Sequence, residues 1–121
     1  MKHIRLNAII AAVGLAVMLL LSAQSQAGAY YDGGKLLQLC ESDSAGEYNT
    51  CIGYVTGIDD YQTTLLNWSD LDEPLFCPPD GVTSGQLVKI VTKRLNEHPE
   101  KLHLSASGSV ANALAQAFPC S

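Results

Sequence analysis

The segment from residue 47 to residue 68 constrains the fold most, because its apolar side chains recur at helical spacing. Successive members stand four and three residues apart, which places them on one face of an α-helix. They are Tyr54, Ile58, Tyr61, Leu65 and Trp68, and Cys51 and Val55 widen the same face. A β-strand would put Ile58 and Tyr61 on opposite faces. The pattern therefore predicts a long central helix that buries this face.

Gly53 and Gly57 interrupt the predicted helix and lie four residues apart along one flank. A glycine inside a helix costs about 1 kcal/mol relative to alanine. Two interpretations follow. Either another backbone approaches this flank closely, or the helix is locally weak or bent.

Start and stop signals predict three further helices. Capping-box spacing occurs twice, at Ser44 with Glu47 and at Thr83 with Gln86. The first pair marks the start of the central helix, and the second starts a helix that ends near His98. A short helix precedes the central one at residues 35–40, and a last helix spans residues 105–118. These signals predict an all-α fold, a compact bundle of about four helices.

All four cysteines lie after residue 39, at Cys40, Cys51, Cys77 and Cys120. An even number of cysteines in a small exported domain is typical of disulfides, and four cysteines allow three pairings. In an antiparallel bundle the first two lie at one pole and the last two at the other, which favours Cys40–Cys51 and Cys77–Cys120. A catalytic or zinc-binding cysteine is the alternative, but the sequence has no CxxC pair for zinc. We therefore predict a bundle stapled by two disulfides.

Residues 1–27 have the pattern of a signal peptide. Lys2, His3 and Arg5 precede an apolar run over residues 9–21, and Ala27 offers a cleavage site, with Ala29 as a second candidate. The run is shorter than the roughly 20 residues of a membrane span, although an uncleaved anchor is the alternative. We predict a signal peptide over residues 1–27 and one domain over residues 28–121, exported to the periplasm and free of the membrane after cleavage.

The predicted mature domain is strongly acidic. It contains five basic and twelve acidic residues, so its formal net charge is −7. A surface of this charge disfavours nucleic acid and anionic membranes as partners. It favours a soluble domain or a basic protein partner.

The longest break between predicted helices, residues 69–82, is the best candidate for a contact surface. Prolines and glycine prevent it from continuing the helix. Its first half combines acidic and apolar side chains, and the candidate contact residues are Asp70, Leu71, Asp72 and Glu73. Asp59 and Asp60 on the central helix are the second choice. A solvated connector without a partner is the alternative.

The sequence offers little for catalysis, and we predict that the protein is not an enzyme and takes no cofactor or metal. His98 and His103 flank Pro99, so they do not share a helix face as the ligands of an HExxH site do. A histidine near a helix C-terminus more often caps backbone carbonyls. Asp59 and Asp60 resemble paired carboxylates, but adjacent helix residues diverge by about 100°.

Five short motifs follow one another along the chain, and they are CIGYVTGID at 51–59, FCP at 76–78, GVTSGQLV at 81–88, LNEHPE at 95–100 and ALAQAFPC at 113–120. Together, in this order and spacing, they resemble the Rap/Tai family of periplasmic immunity proteins. The motifs are distributed from residue 51 to residue 120 of the mature chain. The motifs consist mostly of scaffold positions, so the resemblance assigns no contact residues.

The resemblance implies a compact, disulfide-bonded helical domain that is often a homodimer. It also implies a function, which is to bind and block a peptidoglycan amidase that a type VI secretion system delivers as an effector. The amidases of this class have a papain-like Cys-His centre. Two other classes remain open. One is a periplasmic acid-stress chaperone, against which four cysteines count, and the other is a small-ligand carrier, for which the sequence shows no feature.

Overall fold

The computed structural model describes residues 28–121, which form four α-helices. They are α1 (Gly33–Cys40), α2 (Ala45–Asn67), α3 (Ser84–Glu97) and α4 (Ala106–Ala117), with a short 3₁₀ helix at Pro99–Lys101. Within residues 28–121 the only β-type pairing is an isolated bridge between Asp32 and Ser105. The prediction of an all-α bundle of about four helices is confirmed. The predicted signal peptide, residues 1–27, lies outside the described residues.

Local hydrogen bonds fix where the helices begin. At α3, the side chains of Thr83 and Gln86 form the predicted capping box. At α2, Ser44 is the N-cap residue, but its side chain makes no capping hydrogen bond. The predicted capping box at this helix is therefore wrong. The carboxylate of Glu47 accepts a hydrogen bond from the Ser42 hydroxyl instead.

Both predicted disulfides are confirmed. Cys40–Cys51 joins the end of α1 to the second turn of α2, and Cys77–Cys120 joins the loop after α2 to the end of the chain. The bridged residues are separated by 11 and 43 positions. Closing loops of these lengths in the unfolded chain is worth roughly 3 and 4 kcal/mol. The two bridges thus stabilise a core that is small for an independently folding domain.

The hydrophobic core draws on all four helices and on one loop residue. Its buried side chains are Leu36, Leu39, Cys40, Cys51, Val55, Phe76, Leu87, Val88, Val91, Leu95, Ala106, Val110, Ala113 and Leu114. Phe76 is the loop residue, and only 1 % of its surface is exposed. The loop after α2 is therefore fastened into the core at its midpoint.

The buried face of α2 differs from the prediction. Cys51, Val55 and Gln62 are its buried residues, whereas Tyr61 and Trp68 are 52 % and 67 % exposed. Gln62 follows Tyr61 directly, so the two side chains point about 100° apart around the helix. The core therefore lies to one side of the predicted apolar face. The aromatic edge of that face is left on the surface.

The two glycines of α2 do not mark a close approach within this chain. A Cβ atom placed on Gly53 or on Gly57 would meet no atom within 4 Å, and both residues are exposed. The helix runs through both positions without a break. The first interpretation of the glycine pair is therefore wrong for contacts inside residues 28–121.

Candidate functional site: the acidic tip and the α2–α4 groove

The candidate contact loop begins with a tight reversal at the end of α2. Ser69 has a backbone φ of 60°, in the left-handed region. Its N–H donates to the carbonyl of Leu66 at 3.1 Å, and the N–H of Asp70 donates to the carbonyl of Leu65 at 2.9 Å. This pair of bonds is a Schellman motif, which normally places glycine where Ser69 stands. The reversal turns the chain back along α2 directly before the acidic residues.

The returning arm of the loop is held by the buried side chain of Gln62. Its Oε1 accepts hydrogen bonds from the backbone N–H groups of Leu75 and Phe76, at 2.6 and 3.1 Å. Its Nε2 donates to the carbonyl of Phe76 at 3.0 Å. One side chain thus satisfies three backbone groups of a segment 13 to 14 positions away. The role of Gln62 is not predictable from the sequence, because no residue near it in the chain indicates the partner.

Cys77, the next residue of the loop, is held by one further hydrogen bond and by a disulfide. The N–H of Cys77 donates to the carbonyl of Phe118 at 2.9 Å, and its sulfur is bonded to Cys120. Residues 70–74, which we name the acidic tip, therefore lie between two fixed ends. Asp70, Asp72 and Glu73 are exposed there, while Leu71 is half-buried. The first-choice contact residues thus lie together on one short segment.

The second-choice residues, Asp59 and Asp60, lie elsewhere. Asp60 is exposed on α2, roughly 10 Å along the axis before the helix ends. Asp59 is half-buried and faces the second half of the loop, residues 78–82, across a polar cleft. Burial, and to a lesser degree the charge of Asp60, raises the pKa of Asp59 above its ordinary value. The structure therefore does not join these two carboxylates to the acidic tip.

An apolar groove, which the sequence pattern did not predict, opens between α2, the loop and α4. Its volume is about 230 Å³. The lining side chains are Ile58, Tyr61, Gln62 and Leu65 of α2, Leu75 and Phe76 of the loop, and Ser107, Gly108 and Ala111 of α4. The α4 residues are small, which keeps the groove open. We call it the α2–α4 groove.

The two histidines have different surroundings. His98 is the C-cap residue of α3, and its Nδ1 lies 3.1 Å from the Glu100 carboxylate while its Nε2 lies 2.5 Å from Arg94 Nη1. Because arginine only donates, Nε2 accepts and Nδ1 carries the proton. The imidazole thus contacts side chains and does not cap a carbonyl. A hydrogen bond with the backbone of Glu100 and, to a lesser degree, one with the His98 side chain lower the pKa of the Glu100 carboxyl. His103 is exposed.

Residues 28–121 contain no cluster of three or more His, Cys, Asp or Glu side chains that could hold a metal ion. All four cysteines are consumed by the two disulfides. In the same residues, no helix is both long enough and apolar enough to cross a membrane.

Fold and surface together define a small, disulfide-bonded α-helical domain with an apolar groove beside an acidic tip. A family model for Rap1a immunity proteins matches residues 32–120, which include all four helices and both disulfides. The chain belongs to this family of immunity proteins. No curated protein gives a significant match to the sequence.

Proposed function

We propose that the protein is a periplasmic immunity protein, which binds a peptidoglycan amidase effector of a type VI secretion system and blocks its active site. The proposal rests mainly on one observation, the exposed acidic tip on a domain of the Rap1a immunity family. The amidase is the partner that the sequence resemblance implies. Its papain-like cleft is a groove that must admit a peptide, so a projecting loop of suitable size would obstruct it.

The fixed ends of the tip support this mechanism. A loop that is ordered before binding loses less conformational freedom when it docks. The Schellman motif holds one end of the tip, and Gln62 with Cys77 holds the other. The disulfide-bonded cysteines leave no free thiol within residues 28–121. Inhibition by this domain would therefore be steric, and we propose no catalytic step.

The charge of the tip suggests how the complex forms. Within residues 28–121, neither Asp70, Asp72 nor Glu73 takes part in a salt bridge. Unpaired carboxylates on an exposed loop attract a basic surface and accelerate encounter. We propose Asp70, Leu71, Asp72 and Glu73 as effector contacts. Asp59 and Asp60 are the reserve candidates.

Cell location and oligomeric state complete the proposal. The predicted signal peptide at residues 1–27 would deliver the domain to the periplasm, an oxidising compartment in which both disulfides can form. That compartment is also where peptidoglycan is exposed to an incoming amidase. We further propose the homodimer that the resemblance implies, which sedimentation of the purified domain would reveal.

Co-expression tests the function directly. Each type VI amidase effector of the source strain is sent to the periplasm of a test host, with or without this protein. We expect one effector to cause lysis alone, to be harmless in the presence of this protein, and to co-purify with it. Its peptidoglycan hydrolysis should stop when purified protein is added. If the protein protects against none of the amidases, the proposed function is wrong.

A further inference from the structure

The α2–α4 groove is unusual for a surface that faces water. Tyr61 and Leu75, which line it, are 52 % and 50 % exposed, and Trp68 lies one turn beyond Leu65 with 67 % of its surface exposed. Three of the five large exposed apolar residues in the described chain therefore cluster at this end of α2. Clustered apolar exposure of this kind often marks an interaction surface.

The groove has a definite shape because its walls are fixed. Gln62 forms part of the floor and holds Leu75 and Phe76 through their backbones. The opposite wall is the first part of α4, where Ser105 caps the helix by accepting a hydrogen bond from the N–H of Gly108. A volume of about 230 Å³ exceeds that of several water molecules, each of which takes about 30 Å³. One aromatic or branched aliphatic side chain is an occupant of suitable size.

The acidic tip borders the groove. The tip begins at Asp70, whose N–H donates a hydrogen bond to the carbonyl of Leu65, and it ends directly before Leu75. Both Leu65 and Leu75 line the groove. The segment next to the groove thus carries three exposed carboxylates that have no cationic partner within residues 28–121. No lysine or arginine of these residues lines the groove.

This charge decides between occupants. A symmetric pair of copies would place the same patch against itself and so bring two acidic tips together. Like charges opposed across an interface cost free energy and disfavour that arrangement. An anionic membrane surface is disfavoured for the same reason. A basic protein segment with an apolar side chain complements both the apolar groove and the acidic tip beside it.

We propose that the α2–α4 groove is a specificity pocket, which takes one aromatic or branched aliphatic side chain from a lysine- or arginine-rich segment of the effector. This proposal rests on the proposed function. It adds a site beside the acidic tip, so that the tip blocks the effector while the groove selects it.

A peptide titration tests the groove without any effector. The probe is the heptapeptide KKGFGKK, added to the folded domain while NMR follows the methyl signals of Ile58, Leu65 and Leu75. We expect these signals to shift, and we expect the peptides KKGSGKK and EEGFGEE to bind about tenfold more weakly or worse. Equal binding of the acidic peptide, or shifts confined to another surface, would overturn the proposal. So would methyl signals that move on dilution of the domain alone, because a second copy would then occupy the groove.

Two pairs of variants give matched controls. Ala111→Leu fills the groove and should weaken KKGFGKK binding about tenfold, whereas Ala117→Leu makes the same change at an exposed site of the same helix. Tyr61→Ala removes an exposed wall and should also weaken binding, whereas Tyr30→Ala removes a tyrosine that is 89 % exposed and does not line the groove. If each variant binds the peptide as well as its control does, the groove is not the site.

Protection assays separate this proposal from the function on which it rests. If the parent protein protects against an amidase, and Ala111→Leu protects as well as Ala117→Leu, the pocket is wrong but the function stands. If the parent protects against no amidase, the function is wrong whatever the peptide shows. We expect the parent and Ala117→Leu to protect and Ala111→Leu to fail.

Discussion

Gln62 is a polar residue at a core position, and its importance comes from the backbone groups it satisfies. Only 7 % of its surface is exposed, and its amide pairs with two N–H groups and one carbonyl of residues 75–76. A buried polar group without a partner costs about 1–3 kcal/mol. The side chain of Gln62 therefore joins α2 to the loop at residues 75–76.

Replacing this side chain with an apolar one of similar size should destabilise the domain. We expect Gln62→Leu to lower the free energy of unfolding by about 2–4 kcal/mol, because three backbone groups lose their partner. Urea unfolding followed by fluorescence of Trp68, the single tryptophan, measures the change. Gln116→Leu makes the same substitution at an exposed position of α4 and should change little. Equal stability of the two variants would show that the hydrogen bonds are dispensable.

Ser69 occupies a backbone conformation that suits glycine. Its φ of 60° costs a residue with a Cβ atom about 1–2 kcal/mol, while glycine loses about 0.5–1 kcal/mol of chain entropy on folding. We expect Ser69→Gly to raise the free energy of unfolding by about 0.5–1 kcal/mol. The control is Ser84→Gly in the first turn of α3, which should lower it. A lower stability for Ser69→Gly in urea unfolding would contradict the strain argument.

Asp59 makes stability depend on pH. Because burial raises its pKa above 3.8, the folded state holds the proton more tightly than the unfolded chain does. Protonation of Asp59 therefore stabilises the folded state. This stabilisation is lost as the pH rises through the folded-state pKa of the carboxyl. We expect Asp59→Asn to be more stable than the parent at about pH 7, with the difference shrinking as the pH falls through the raised pKa of Asp59 towards 3.8. Unfolding curves across this range test it, with the exposed Asp43→Asn as the control for lost charge.

At the scale of elements, α2 shows how one helix can serve two purposes. Its core face carries Cys51, Val55 and Gln62, and its neighbouring edge carries Tyr61 and Trp68 toward solvent. The same helix also supplies the carbonyl of Leu65, which accepts a hydrogen bond from the N–H of Asp70, the first residue of the acidic tip. The tip, the groove and the core therefore share one rigid support.

The acidic tip is expected to act on the rate of association. Replacing Asp70, Asp72 and Glu73 together with serine should leave the fold intact, because all three side chains are exposed. We expect association with the cognate effector to slow by about tenfold at low salt and to depend less on salt concentration. Stopped-flow or surface-based kinetics at several salt concentrations measure both effects.

A second triple variant controls for net charge. Asp43, Glu97 and Glu100 are exposed and lie toward the other pole of the bundle, where Asn96 donates a hydrogen bond to Glu41. Their replacement with serine removes the same number of charges but should alter association much less. If both triple variants associate at the rate of the parent at low salt, the contact lies elsewhere, and Asp59 and Asp60 are the next positions to change.

At the scale of the whole molecule, each pole of the bundle is closed by one disulfide. Cys40–Cys51 closes the α1–α2 pole, and Cys77–Cys120 ties the loop to the C-terminus. The second bridge also fixes the returning arm of the acidic tip. Stability and the proposed contact surface thus depend on the same covalent bond.

Both bridges require an oxidising compartment, which makes export the next prediction. We expect the chain to be cut at or near Ala27, because Ser25 and Ala27 place small residues at the positions that a signal peptidase recognises. N-terminal sequencing of the protein from a periplasmic extract should begin near Gly28. A membrane-bound species that keeps Met1 would contradict the prediction and favour the uncleaved anchor.

The sequence by itself determined the helices and the disulfide pairing. The Thr83–Gln86 capping box acts over three residues, and Pro99 and Pro119 stop helices locally, so these boundaries needed no tertiary information. The cysteine pairs followed from the antiparallel order of the helices. The acidic tip was recognisable as a loop because its composition excludes a helix.

Only the tertiary structure decided which side of α2 is buried. Tyr61 and Gln62 are neighbours, and hydropathy alone assigns the tyrosine to the core and the glutamine to water. The outcome is reversed because the backbone of Leu75 and Phe76, 13 to 14 positions away, supplies partners for the glutamine amide. Burial of a polar side chain is favourable only when such distant partners exist, and they exist only once the chain has folded. The α2–α4 groove is the direct consequence, since Tyr61, displaced from the core, lines it.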